Sequence, residues 1–60
     1  MTLQTFNVVA HVRERGSLGR FRPERFQLEA YGEENVLAAW VLKFGDVWEL
    51  EHIEKVEVDS

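Results

Sequence analysis

The chain has no cysteine, only one proline, and no apolar run longer than the seven residues "VLAAWVL". The absence of cysteine excludes disulfides, thiolate nucleophiles and cysteine-ligated zinc or iron–sulfur sites. The longest apolar run is far below the ~20 residues of a membrane span, and the first residues lack the basic and apolar segments of a signal peptide. We therefore expect a soluble, cytoplasmic protein that binds no membrane.

Groups for catalysis are also scarce. The sequence contains no G-x-S-x-G, no glycine-rich phosphate loop and no H-E-x-x-H, and catalysis needs a nucleophile, a base and an orienting group held together. The hydroxyl-bearing residues are Thr2, Thr5, Ser17, Tyr31 and Ser60. We expect no enzymatic activity, no catalytic residues and no cofactor.

What the chain does contain is apolar side chain: 45% of its 60 residues are hydrophobic, with two Trp and four Phe. That content excludes a disordered chain. Sixty residues form a single domain (1–60), and a domain of this size buries only about 60% of the surface that its unfolded chain exposes. Its core is therefore small, and association with another protein would stabilise it.

Two strands are predicted in the first half. From Thr5 to Arg15 apolar and polar residues alternate, which is typical of a half-buried strand. The glycines of "GSLG" (16–19) then favour a hairpin connection. A second strand follows. Because proline cannot donate to a strand ladder, we expect this to be an edge strand with a bulge or break near Pro23. The apolar residues on the inner side are Phe6, Val8, Ala10, Val12, Phe26, Leu28 and Ala30.

A helix is predicted from Glu33 to Phe44. Acidic residues occupy its first turn, which the helix dipole favours, with Gly32 as N-cap and Gly45 as a left-handed C-terminal cap. At 100° per residue, one side should cover the sheet, namely Val36, Leu37, Trp40, Val41 and Phe44.

The last segment, "VWELEHIEKVEV" (47–58), alternates as one long strand or as two short ones that meet near His52. Ile53 interrupts the alternation, which indicates a bulge or bend. The predicted order is β-β-α-β. The fold class is α+β, a small antiparallel sheet with one helix packed on one face.

Charge is unevenly distributed along the chain. Residues 11–25 hold five arginines and two glutamates (+3), whereas residues 29–60 hold two lysines and nine acids (−7), for a net charge of −4. Arginines interleaved with aromatic residues can pair phosphates and stack bases, so the hairpin is a candidate nucleic-acid site. The other interpretation is a solvated hairpin face with cross-strand ion pairs. The candidate residues are Arg13, Arg15, Arg20, Arg22, Arg25 and Phe21.

The element order and the run from Ala30 to Gly45 resemble the archaeal large-subunit ribosomal protein LX family. The similar positions are Phe6, Val8, Ala30, Glu33, Glu34, Gly45, Ile53 and Val56. The resemblance covers most of the chain and implies the β-β-α-β fold and a role in binding ribosomal RNA. It departs after Gly45, where those proteins are rich in lysine and arginine and this chain is acidic.

The two histidines are the residues that a metal ion would use. His11 and His52 could lie on neighbouring strands and, with Glu54 or Glu51, hold a divalent ion. The alternative is that both are surface strand residues that balance nearby charge. Because no recognised ligand spacing is present, the sequence favours the alternative, and we expect no metal.

Protein association is the function that the sequence favours. One sheet covers one side of a helix, so the back of the predicted helix should remain exposed, and Ala38 and Leu42 are the candidate interface. We expect a small non-enzymatic binding or accessory module, acting as a homo-oligomer or as a subunit of a larger assembly. An RNA-binding, ribosomal-type protein that uses the arginine-rich hairpin is the alternative.

Overall fold

The computed structural model describes residues 2–59, which form one three-stranded sheet and one helix. The elements are β1 (Gln4–Glu14), β2 (Arg22–Ala30), a 3₁₀ turn (Glu33–Asn35), α1 (Val36–Phe44) and β3 (Trp48–Val58). The strand order is β2-β1-β3 with both pairings antiparallel, which confirms the α+β prediction. Within residues 2–59, no helix is long and apolar enough to cross a membrane.

The core lies between α1 and the inner face of the sheet. On the central strand β1, every second residue is almost completely buried, as predicted, namely Phe6, Val8, Ala10 and Val12. Leu28 and Ala30 of β2 and Val36 and Trp40 of α1 complete the buried cluster. The Phe26 ring packs edge-on against Trp40 with centroids 5.5 Å apart and lies 4.7 Å from Phe44. These aromatic contacts hold α1 over β2 and β1.

The predicted bulge or break near Pro23 is wrong, whereas the predicted edge position of its strand is confirmed. β1 and β2 pair in uninterrupted register from Gln4 opposite Ala30 to Val12 opposite Arg22, with Pro23 opposite His11. The physical reason is the position of β2 at the edge of the sheet, where a proline nitrogen can face away from the neighbouring strand.

The predicted irregularity in the last strand is confirmed, and β3 is one strand with two register shifts. Consecutive residues of β1 pair with Lys55, Ile53, His52 and Leu50 in turn, so the pairing skips one residue of β3 at two places. Glu54 and Glu51 are therefore the extra residues of two β-bulges, which flank the consecutive residues His52 and Ile53.

The predicted covering face of the helix is partly wrong. Val36 and Trp40 are buried and Phe44 packs on the core, but Leu37 and Val41 are 54% and 51% exposed. A helix is about 10 Å across and strands lie about 4.8 Å apart, so one helix covers roughly two strands. Since α1 packs towards β2, the side of the helix that faces β3 is left partly exposed.

Gly45 ends α1, but not as a left-handed cap. Its φ is −63° and its ψ is −19°, and its N–H donates to the Val41 carbonyl at 2.9 Å. A Cβ at this position would overlap that carbonyl oxygen. Close approach of the backbone, and not a positive φ, is therefore what requires glycine here.

Candidate functional site

An open apolar groove runs between the start of α1 and β3. Its volume is about 480 Å³, and its apolar lining comes from Val36, Leu37, Leu50, Ile53 and Val56. The three β3 residues are only half-buried, because no helix lies directly over this strand. The groove is thus the part of the inner sheet face that residues 2–59 do not cover.

The rim of this groove is acidic. Glu33 and Glu34 stand at the helix side and Glu51 at the β3 side, and all three are exposed. His52 also lines the rim, with its Nδ1 3.3 Å from Glu51 Oε1. An apolar floor between carboxylates favours a ligand with an apolar centre and basic flanks.

The predicted interface residues lie elsewhere on the helix. Ala38 is exposed and Leu42 is 86% exposed, so both are on the solvent side of α1, as the sequence indicated. Neither lines the groove. Sequence periodicity predicts that Leu37 faces the sheet, so it does not identify Leu37 as a surface residue. Periodicity shows which side of a helix is apolar, but it does not show over which strands of the sheet the helix lies.

The candidate nucleic-acid residues fall into groups that differ in their contacts, and the first group, Arg13 and Arg15, bonds to groups on or next to β3. Arg13 donates from Nε and Nη2 to Glu49 Oε2, each at 3.1 Å, and its guanidinium lies 4.4 Å from the centre of the Phe21 ring. Arg15 donates to the carbonyls of Gly45 and Trp48, at 3.0 and 3.2 Å. These two arginines hold the β1 end of the hairpin against β3.

The remaining arginines differ in how they are paired. Arg22 binds Glu14 of β1 at 3.3 Å, a cross-strand ion pair of the kind that the solvated-hairpin interpretation predicts, and it also binds Glu24 of its own strand at 2.8 Å. Across residues 2–59, Arg20 and Arg25 form neither an ion pair nor a side-chain hydrogen bond with another residue, and both are exposed. Among the candidate arginines, Arg20 and Arg25 are therefore the two whose guanidinium groups no residue within 2–59 holds.

The two histidines lie directly opposite each other on β1 and β3. Their rings stack with centroids 4.3 Å apart and planes inclined by 16°. His11 Nε2 lies 2.5 Å from Glu54 Oε1, and this hydrogen bond is the main reason why the pKa of Glu54 is lowered. The interpretation of the histidines as residues that balance nearby charge fits these contacts, and the neighbouring-strand arrangement weighed from the sequence is confirmed.

Comparison with family models, with curated proteins and with solved structures finds no match to this chain. The resemblance to the ribosomal LX family therefore stays a prediction from residue types. Function has to be inferred from the surfaces of the molecule.

Proposed function

We propose that this chain is a non-enzymatic module that binds an amphipathic helix of a partner protein in the groove between α1 and β3. The observation that carries the proposal is the uncovered apolar side of β3 beside the half-exposed Leu37. In a 60-residue chain without disulfides, covering this surface would add to a small core. Burial of apolar area contributes about 25 cal/mol per Å².

The dimensions of the groove suit a helix. From Leu50 to Val56, β3 offers apolar side chains opposite Val12 to Val8 of β1, over a rise of about 14 Å, which a helix of about nine residues spans. A second helix beside α1 would lie at the usual interaxial distance of 8–10 Å and would cover the third strand. Leucines at positions i, i+3, i+4 and i+7 of that helix would fill the groove.

Charge argues for basic flanks on the partner and against a second copy of this chain. The rim carries Glu33, Glu34 and Glu51, and the free edge strand β3 carries four glutamates and one lysine. Like charges would oppose pairing of β3 with another β3, which is a common protection of edge strands. Lysine or arginine at the ends of a partner helix would meet the rim favourably.

The experiment uses a synthetic 14-residue peptide with leucines at i, i+3, i+4 and i+7 and lysines on both flanks, titrated into the protein by calorimetry. We expect saturable binding that Leu37→Glu weakens at least tenfold, or about 1.4 kcal/mol. Leu42→Glu is the matched control, because it introduces the same charge on the solvent side of α1, and it should bind as the parent does. A peptide of the same composition with scrambled leucines should not bind.

Three results would contradict the proposal. The first is equal affinity of the Leu37→Glu variant and the parent for the peptide. The second is a stable oligomer, measured by light scattering, that Leu37→Glu dissociates, since the groove would then hold a second copy. The third is tight, salt-sensitive RNA binding that is lost on Arg20→Glu and kept in Leu37→Glu, which would make the hairpin the functional site.

A further inference from the structure

The cluster around the two histidines lies where two β-bulges of β3 interrupt its pairing with β1. His11 is 23% exposed at its side chain, and the exposures of His52, Glu51 and Glu54 lie between 50% and 54%. The bulges bring two extra residues of β3, both glutamates, out of the strict alternation and next to the imidazoles. Four side chains with metal-ligating atoms are thus collected from two strands.

We propose that His11, Glu51 and His52 form a binding site for a divalent transition-metal ion of the Zn²⁺ class. Each residue offers one ligand atom, and these atoms all lie within 4.8 Å of one another. Metal–ligand bonds of about 2.0–2.1 Å in tetrahedral geometry place neighbouring donors about 3.4 Å apart. The separation of His52 Nδ1 and Glu51 Oε1 is 3.3 Å, so this edge of the site has the required length.

His11 completes the site from the neighbouring strand, where it lies directly opposite His52. Its Nε2 is held by Glu54, which leaves Nδ1 as its ligand atom. A carboxylate that holds the second nitrogen of a ligating histidine fixes the orientation of the ring and raises its basicity. Glu54 is therefore the positioning residue of the site, and water completes the coordination of the ion.

The donor set selects the class of metal. Two imidazole nitrogens with one carboxylate oxygen suit Zn²⁺, Co²⁺, Ni²⁺ or Cu²⁺, whereas Mg²⁺ and Ca²⁺ prefer sites made of oxygen ligands. An ion held between His11 on β1 and His52 on β3 would connect the two strands. It would supply a cross-link that this cysteine-free chain cannot form with a disulfide.

The test is a titration of the untagged chain with ZnCl₂ by calorimetry, followed by Co²⁺ as a spectroscopic probe and MgCl₂ as a control. We expect one Zn²⁺ per chain, intense visible absorption from tetrahedral Co²⁺, and no Mg²⁺ binding. Zn²⁺ at a hundredfold excess over Kd should raise the Tm by on the order of 10 °C. His52→Gln should weaken Zn²⁺ binding at least tenfold.

The controls separate the site from the folding of the chain. Glu57→Gln removes an exposed carboxylate of the same strand, paired with Lys55, and should bind Zn²⁺ as the parent does. His52 is exposed, so His52→Gln should fold even where the more buried His11→Gln does not. Two results would overturn the proposal. The first is that Zn²⁺ fails to saturate the chain at concentrations below about 1 mM, because a specific site binds more tightly than that. The second is that the parent and His52→Gln bind Zn²⁺ equally well. Neither result would affect the helix-binding groove, which is tested with the peptide alone.

Discussion

Arg13 and Glu49 join the central strand to β3 through two hydrogen bonds to a single oxygen, Oε2, each 3.1 Å long. The other oxygen of Glu49 accepts the Gly16 N–H at 3.1 Å. Gly16 has a φ of +87°, a conformation that suits glycine at the turn after β1. This carboxylate therefore connects three elements: the turn, β1 and β3.

The pH dependence of stability should report this contact. The Gly16 N–H and then the Arg13 guanidinium lower the pKa of Glu49 in the folded chain. Its contribution to stability is therefore complete above the ordinary glutamate pKa of about 4.3 and is lost as the pH falls through the lowered value. We expect Glu49→Gln to be less stable than the parent at neutral pH and the two to converge in acid. Urea unfolding between about pH 7 and pH 3 measures both free energies.

A control for that series is Glu29→Gln, which removes an exposed carboxylate of β2. Glu29 takes part in no ion pair within residues 2–59. A constant difference between the parent and Glu49→Gln across the whole pH range would show that the charge of Glu49 contributes nothing.

Trp40 should carry the largest single share of the core. It is 1% exposed and packs against Phe26 and Phe44. Trp40→Ala should cost about 3–5 kcal/mol, close to the total stability of a small domain. Trp40→Phe should cost under about 2 kcal/mol, because it keeps apolar contacts and removes an indole N–H that has no hydrogen-bond partner among the described residues. Chemical unfolding followed by circular dichroism distinguishes them; near-parent stability of Trp40→Ala would contradict this core.

A glycine at a helix end can be required by a left-handed conformation or by close approach of the backbone, and substitutions of Gly45 distinguish these two explanations. Because a Cβ would meet the Val41 carbonyl, Gly45→Ala and Gly45→Asn should both lose about 1–3 kcal/mol. A left-handed cap would instead tolerate asparagine better than alanine. Thermal unfolding of the two variants decides between these explanations.

The arginines should differ in their effect on stability. Arg13→Ala removes the Glu49 contact and the stacking on Phe21, and should cost up to about 1 kcal/mol. Arg20→Ala and Arg25→Ala should change the free energy of unfolding by less than about 0.5 kcal/mol, because both side chains are exposed and unpaired within residues 2–59. Parallel urea titrations test the order, and a larger loss for Arg20→Ala than for Arg13→Ala would reverse it.

The sequence by itself determined the order of strands and helix, and for β1 it also determined which face is buried. Alternation predicted β1 and its buried side, and the interrupted alternation at Ile53 correctly indicated the bulges of β3. Such patterns are readable because a side chain's direction follows from its position in a strand or helix. The same rule predicted that Leu42 is exposed, which the structure confirms.

The tertiary structure decided those features that depend on how the strands and the helix pack against one another. The stacking of His11 on His52 follows from the register of two strands that are far apart in the chain. The exposure of Leu37 follows from the position of α1 towards β2, and the conformation of Gly45 from how close the Val41 carbonyl lies. Register and sideways position are set by the packing of the whole core around Phe26 and Trp40, so no local pattern of residues encodes them.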